Sequence, residues 1–275
     1  MNKSWQITVL VENTATARGL LGEHGLAYFI EASGKRLLFD TGQGLTLLHN
    51  AKELGISWSN LDAIALSHGH YDHTGGLMAV LEIVPPIDLF LHPAALQFKY
   101  SPRGEIGSPI KDEATLTERG HRIIWTENPT EIFPGVHLTG PIPRRHPLED
   151  TGGLFWQNPT RSQTDMLPDD QALFMETPAG LVVVLGCAHA GVINTLDYIA
   201  HLTGKQQFRA VIGGMHLLQA RPDRLAATLA ALTKYNVQLL GANHCTGMAA
   251  LAFLWQSFAG ECVSCSVGTR LDFTA

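Results

Sequence analysis

One short stretch of this chain concentrates side chains that bind metals. Leu66-Ser67-His68-Gly69-His70-Tyr71-Asp72-His73-Thr74-Gly75-Gly76 carries three imidazoles and a carboxylate within the six positions His68 to His73. On extended backbone, residues two apart point to the same side, so His68 and His70 project together. The turn that follows brings Asp72 and His73 round to a second point nearby. Imidazole nitrogen and carboxylate oxygen are ligands that Zn²⁺ prefers, so the stretch is expected to hold a divalent ion. The composition points the same way: 13 histidines stand against 4 cysteines, and histidine is the commonest metal ligand near neutral pH.

The spacing resembles the His-x-His-x-Asp-His signature of the metallo-β-lactamase-fold hydrolases. The elements LFDTG, SHGHYDHTGG, GCAHAGVINT, GGMHL, NHCTG and CSVGTRLDF follow in that order between Val11 and Phe273. Together they are similar to the members labelled dihydropterin-ribofuranosylaminobenzene 5′-phosphate synthase-like. The resemblance implies an α/β fold, a four-layer αββα sandwich, with metals at one edge of two sheets. It implies two divalent ions, zinc first and iron or manganese as alternatives. His68, His70 and His189 would hold one, and Asp72, His73 and His244 the other, with a hydroxide between them. His189 and His244 both lie in strand-to-helix turns, where α/β sites are usually built. His146 is the other candidate for the ligand assigned to His189. Asp40, at the end of LFDTG, would orient a metal-bound histidine from behind. The chain departs from the family pattern at Gly186-Cys187, where a Gly-Asp is usual. The bridge is then water alone, or Cys187 approaches the metals.

Such a site suits a metal-dependent hydrolase that turns a metal-bound hydroxide on a phosphoester or related anionic small molecule. Asp72 is expected to accept a proton and His216 to serve the leaving group or the substrate. His24, Arg144 and Arg145 are expected to bind substrate, the arginines by gripping phosphate. A second reading is a pterin-directed enzyme that forms a C–N bond on a phosphorylated aminobenzene. A two-iron redox enzyme usually has Glu at the second signature position, so His70 favours hydrolysis. A non-catalytic, metal-stabilised binding module would unfold when stripped of metal.

These residues need a scaffold, and the rest of the sequence supplies one. Short apolar runs alternate with helical patterns, the mark of an α/β chain. Strands are expected at Ile7–Val11, Leu26–Glu31 and Arg36–Phe39, with a turn at Gly34-Lys35, and at Ala63–Leu66. Helices are expected at Leu45–Leu54 and Thr74–Val84. A Pro-rich irregular segment fills about 93–170, interrupted by strands at His121–Trp125 and Val136–Thr139. Then come a hairpin (Gln171–Glu176, Leu181–Leu185), strands at Arg209–Ile212, Val237–Leu240 and Glu261–Val267, and helices at Gly191–Leu202, Pro222–Tyr235 and Met248–Phe258. No linker divides the chain, so one domain over 1–275 is expected.

Composition excludes several classes. A hydrophobic share of 45% with 16% charged residues argues against disorder. The formal charge of −6 lacks the basic balance of a nucleic-acid binder. No run approaches the ~18–20 apolar residues of a membrane helix. Met1–Leu10 has no signal-peptide pattern. The four cysteines make no disulfide framework, which suits the cytoplasm. Cys262-x-x-Cys265 reads as small residues on a C-terminal strand. The expected partner is an anionic small molecule, with no nucleic acid and no membrane. A homodimer is left open.

Overall fold

The computed structural model describes residues 4–274; Met1, Asn2, Lys3 and Ala275, which belong to the expected N-terminal stretch and 1–275 domain, lie outside the described residues. Along the central strands, alternate side chains face two different apolar cores, as a strand's period of two requires. In β12, Val182 and Val184 join one core while Leu181, Val183 and Leu185 join another. A strand buried on both faces must be covered on both, and that demand builds the layers.

The first half of the chain lays down β1 (Trp5–Val11), β2 (Ala27–Ala32) and β3 (Lys35–Phe39) as an antiparallel meander. Ser33 and Gly34 both take positive φ, which makes the two-residue turn that suits a twisted hairpin. The turn therefore sits one residue earlier than expected. β4 (Ala63–Ala65), β5 (Asp88–Leu91) and β8 (Arg122–Trp125) then add in parallel, with the small hairpin of β6 (Tyr100–Ser101) and β7 (Gly104–Glu105) between the last two in the chain. The second half builds β9 (Thr130–Phe133), β10 (Val136–Leu138), β11 (Leu173–Thr177), β12 (Gly180–Leu185), β13 (Phe208–Gly214), β14 (Leu239–Asn243) and β15 (Glu261–Cys262). Finally β16 (Arg270–Asp272) returns to pair with β1. The result is two sheets of seven strands, ordered β16-β1-β2-β3-β4-β5-β8 and β15-β14-β13-β12-β11-β10-β9.

The inner faces meet in a core that includes Ile7, Tyr28, Phe39, Met175, Val184 and Ile212. The outer face of the first sheet is covered by α1 (Leu47–Glu53), α2 (Tyr71–Thr74), α3 (Leu77–Leu81) and α4 (Glu113–Thr117). The second is covered by α5 (Val192–Thr203), α6 (Pro222–Lys234) and α7 (Met248–Ser257). This is the αββα sandwich. Among the described residues no helix is long and apolar enough to cross a membrane.

Several boundaries differ from the sequence expectation. The helix expected at Thr74–Val84 is two short ones, broken at Gly75-Gly76. A Cβ on Gly75 would stand 2.5 Å from the Gln43 carbonyl oxygen, so the chain crosses there too closely for a side chain. The strand expected at Val237–Leu240 runs from Leu239 to Asn243 instead, because Val237 N bonds back to Leu232 O and closes α6. The last expected strand, Glu261–Val267, forms a strand only at Glu261 and Cys262, with a further isolated bridge from Val267 to Ala15. The strands β5, β9 and β16 and helix α4 were not expected, while the irregular middle does occupy 139–172, where only isolated bridges form. All four cysteines are free, and Cys265 lies in the inter-sheet core.

Candidate metal centre

Parallel strands direct all their C-terminal ends to one edge, and there the candidate residues gather. Asp40 follows β3, His68 and His70 follow β4, Cys187 and His189 follow β12, His216 follows β13 and His244 follows β14. Four residues of these turns, Asp40, Ala188, His216 and His244, take φ between 44° and 60°. Left-handed backbone at non-glycine positions is strained, and such strain concentrates where side chains must be aimed.

Each ring is held so that one nitrogen faces inward. The Ser67 hydroxyl donates to Asp40 Oδ2 (2.7 Å), which leaves its oxygen to accept from His68 Nδ1 (2.9 Å). His73 Nδ1 donates to the same Asp40 Oδ2 at 2.7 Å. His189 Nδ1 donates to the Thr151 carbonyl (2.7 Å) and His244 Nδ1 to the Asn13 side-chain oxygen (2.9 Å). These outward bonds leave Nε2 of all four rings as the inward atom, as outer hydrogen bonds do for metal-binding histidines. His68 Nε2 meets His70 Nδ1 at 2.9 Å, and His73 Nε2 meets Cys187 Sγ at 3.1 Å. Asp72 Oδ2 lies 3.5 Å from His244 Nε2 and 3.2 Å from His24 Nε2.

A divalent ion fits this set. His189 Nε2 and His244 Nε2 are buried without a hydrogen-bond partner, and an orphaned buried acceptor is costly. Two ligands of a tetrahedral ion at Zn–N distances of 2.0–2.1 Å stand about 3.3 Å apart, and the inward atoms are spaced on that scale. Possible ligand atoms gather in three groups: His68–Cys187–His189, His73–Cys187–His244 and His24–Asp72–His244. Burial lowers the pKa of His68, His70 (to about 3), His189 and His244 and so keeps those rings neutral, the form that binds metal. Burial pulls the His73 pKa down, but the Asp40 and Asp72 carboxylates outweigh it and push it up to about 9. Burial raises the Asp72 pKa, yet His73, His24 and His244 together hold it well below the usual carboxylate range. Burial pushes the Cys187 thiol well above its ordinary value.

The structure thus brings His68, His70, Asp72, His73, His189 and His244 together with Asp40 behind them. Cys187 belongs to two of the groups, on both sides of the expected bridge. The sequence reading placed His24 with substrate, whereas the structure sets it directly on Asp72. His146 stands outside all three groups. His216 packs against His189 with ring centroids 4.4 Å apart and lines a cavity of about 430 Å³ with Thr151, Phe155 and Trp156. Burial, His244 and Arg224 push its pKa down to about 4, so its ring is neutral at pH 7. The Arg144 guanidinium donates to the His189 and Met166 carbonyls, and Arg145 is exposed.

Some supporting residues carried no sequence signal. Lys99, 1% exposed, pairs with Asp169 (2.8 Å) and Asp165 (3.1 Å), and Asp169 accepts from Gly69 N, bracing the His68–His70 turn. Glu12 accepts from His244 N. Gly186 is required where the two halves touch, since a Cβ there would stand 2.1 Å from Ser67 Oγ.

The fold and the histidine cluster place the chain in a family: it belongs to the metallo-β-lactamase superfamily, whose sequence profile matches residues 21–161. It is 30% identical over 267 residues, 91% of this chain and 90% of the other, to the 7,8-dihydropterin-6-methyl-4-(beta-D-ribofuranosyl)-aminobenzene-5'-phosphate synthase of Methanocaldococcus jannaschii. The crystal structure of a metal-dependent hydrolase of the β-lactamase superfamily superposes with a TM-score of 0.85 at 30% identity, covering 97% of this chain and 98% of that one. Zn²⁺-bound PqqB from Methylobacterium extorquens shares the fold, with a TM-score of 0.57 at 13% identity over 97% and 99% of the two chains.

Proposed function

We propose that this protein is a metal-dependent hydrolase acting on a phosphoester or related anionic small molecule. One observation carries the reading: imidazoles from both halves of the chain converge, with Asp72 and Cys187, beside a cavity, and three of their buried Nε2 atoms, of His70, His189 and His244, have no partner. His68, His70 and His189 would hold one ion, zinc by donor type, and His73, His244 and Asp72 a second; Cys187 joins His68 and His189 in one group of ligand atoms and His73 and His244 in another. Divalent ions held there lower the pKa of water toward neutrality and polarise a phosphoryl or carbonyl oxygen.

The chain's own groups do the rest. Asp40 keeps His73, and through Ser67 His68, in the orientation that turns Nε2 inward. Asp72 stays ionised and can accept a proton on Oδ2, which His24 contacts from the solvent side. His216, neutral at pH 7 and lining the cavity, can offer a leaving group a hydrogen bond rather than a proton. Phe155 packs at 5.3 Å centroid distance from both His70 and His189 and keeps water from that side. The free thiols suit a reducing compartment such as the cytoplasm.

A second reading rests on the match to the M. jannaschii synthase over 91% of this chain: C–N bond formation in which the amine of a phosphorylated aminobenzene displaces pyrophosphate from a dihydropterin pyrophosphate and loses a proton. Product analysis separates the two. Metal-loaded protein is offered bis(p-nitrophenyl) phosphate in one arm and a dihydropterin pyrophosphate with a ribosyl-aminobenzene phosphate in the other. Nitrophenol release dependent on added metal supports the hydrolase. A coupled pterin product without ester hydrolysis overturns it.

A further inference from the structure

Arg224 is the one feature beside the cavity that the metal chemistry leaves unused. It lies in the first turn of α6, is 5% exposed, and lines the cavity that also holds His216. Its Nη1 donates to Asp150 Oδ1. Its Nε and Nη2, the two nitrogens of the guanidinium's side edge, are buried and have no partner. A buried charged donor left unsatisfied costs more than almost any other polar group, so it calls for an acceptor. The side edge matches two oxygens of one phosphate or carboxylate in a bidentate pair.

The surroundings fit the same ligand. Asp150, which is mostly exposed, fixes Nη1 and so aims the other edge. Asp223 already accepts from Arg224 N in the first turn of α6, so the free edge of the guanidinium, not the helix terminus, is the donor left for an anion. Gly152 packs flush on His216, where a Cβ would stand 2.1 Å from Nδ1, so the cavity wall beside the arginine has no room for a side chain there. His189 is one ring away, through His216. We propose that Arg224 forms an oxyanion subsite that holds a terminal phosphate or carboxylate of the substrate, with His216 between that group and the metal centre. The inference rests on the hydrolase reading for its substrate, but not for its binding step. It replaces Arg144, whose guanidinium is already spent on backbone carbonyls.

The test uses metal-loaded protein and two probes. Inorganic phosphate is titrated by calorimetry into wild type, Arg224→Gln and Arg224→Lys, after metal content and melting temperature have been matched. The expected result is at least a tenfold loss of affinity in Arg224→Gln and a smaller loss in Arg224→Lys, which keeps the charge but not the fork. Crystals grown with tungstate should show the anion within hydrogen-bond distance of Arg224 Nε and Nη2, and not in Arg224→Gln. Tungstate confined to the metal ligands, or phosphate affinity unchanged in both variants, overturns the subsite. If bis(p-nitrophenyl) phosphate is not hydrolysed but phosphate still binds through Arg224, the hydrolase reading falls and the subsite stands. The reverse pattern, with turnover intact and phosphate affinity indifferent to Arg224, removes the subsite alone.

Discussion

Cys187 is where this centre parts from the pattern of its family, and its position makes a sharp prediction. Its Sγ stands 3.1 Å from His73 Nε2 and belongs to ligand groups on both sides of the site. Thiolate is a softer ligand than carboxylate and gives a charge-transfer absorption with cobalt, so Co²⁺-substituted protein should absorb in the near ultraviolet. Cys187→Ser should lose that band while keeping the d–d bands of the histidine-held ion. A band unchanged in the variant would rule out thiolate ligation. His70→Ala, which removes Nδ1 beside His68 Nε2, should bind at least one ion fewer per chain and lose turnover. Metal content and rate equal to wild type would sink the assignment. The candidate ligands were legible because chemistry compresses them: His68, His70, Asp72 and His73 sit within six residues, and His189 and His244 sit in turns at strand ends. Their supports were not. Asn13 reaches His244 across 231 residues of chain, and Thr151 acts through its carbonyl, which every residue type possesses. Arg224 reads in RPDRLAATLA as an ordinary surface arginine on an amphipathic helix, because nothing local says which side of that helix meets a cavity.

Helix α5 shows how one element holds a ligand turn in place. It begins after His189 with Gly191 as its N-cap, which offers no side chain. Glu149 supplies the cap from the irregular segment: its carboxylate accepts from Ile193 N (2.7 Å) and Asn194 N (2.8 Å). Burial nonetheless outweighs those bonds and raises its pKa to about 6. With the folded value above the unfolded one, the native state holds this proton more tightly between about pH 4.5 and 6. Its contribution is therefore fully present below the unfolded value and is lost as pH rises through the folded value. Glu149→Gln, which mimics the protonated cap, should gain stability on wild type by roughly 1 kcal/mol between pH 5 and pH 8, the rest of the difference having developed below pH 5. A constant gap between the two proteins from pH 5 to 8 would exclude that linkage. Sequence periodicity found α5 and α6 because each presents a long apolar stripe to the second sheet. It failed at Thr74–Val84, where the pattern Leu77, Val80, Leu81 was right but tight backbone crossings at Gly75 and Gly76 break the helix. It also missed β16, three residues with only Leu271 buried, which is too short for any period to register.

At the scale of the molecule, the ligands come from two halves that each build a sheet: His68, His70 and His73 follow strands of the first, and His189 and His244 follow strands of the second. Ions held there would tie the sheets at one edge, and whatever binds only the folded form stabilises it by mass action. The ions do not carry the fold alone, however. A continuous apolar core joins the inner faces, from Trp5 and Ile7 through Phe39 to Val184 and Ile212, and each outer face has a helix-covered core of its own. The α/β class was legible from alternating runs and the layered sandwich from the family resemblance, but which strands pair across the chain was not, since β16 joins β1 from the far end of the sequence. These facts separate the two roles a metal could have. If the centre serves chemistry, chelation should abolish turnover and lower the melting temperature by roughly 10 °C, as expected for removing a ligand held at about a thousandfold above its dissociation constant. The far-ultraviolet circular dichroism at 25 °C should stay native, and added Zn²⁺ should restore both rate and melting point. If chelation instead erased the dichroism at 25 °C, the metal would be acting as a structural staple, and a metal-stabilised binding module would describe this chain better than an enzyme.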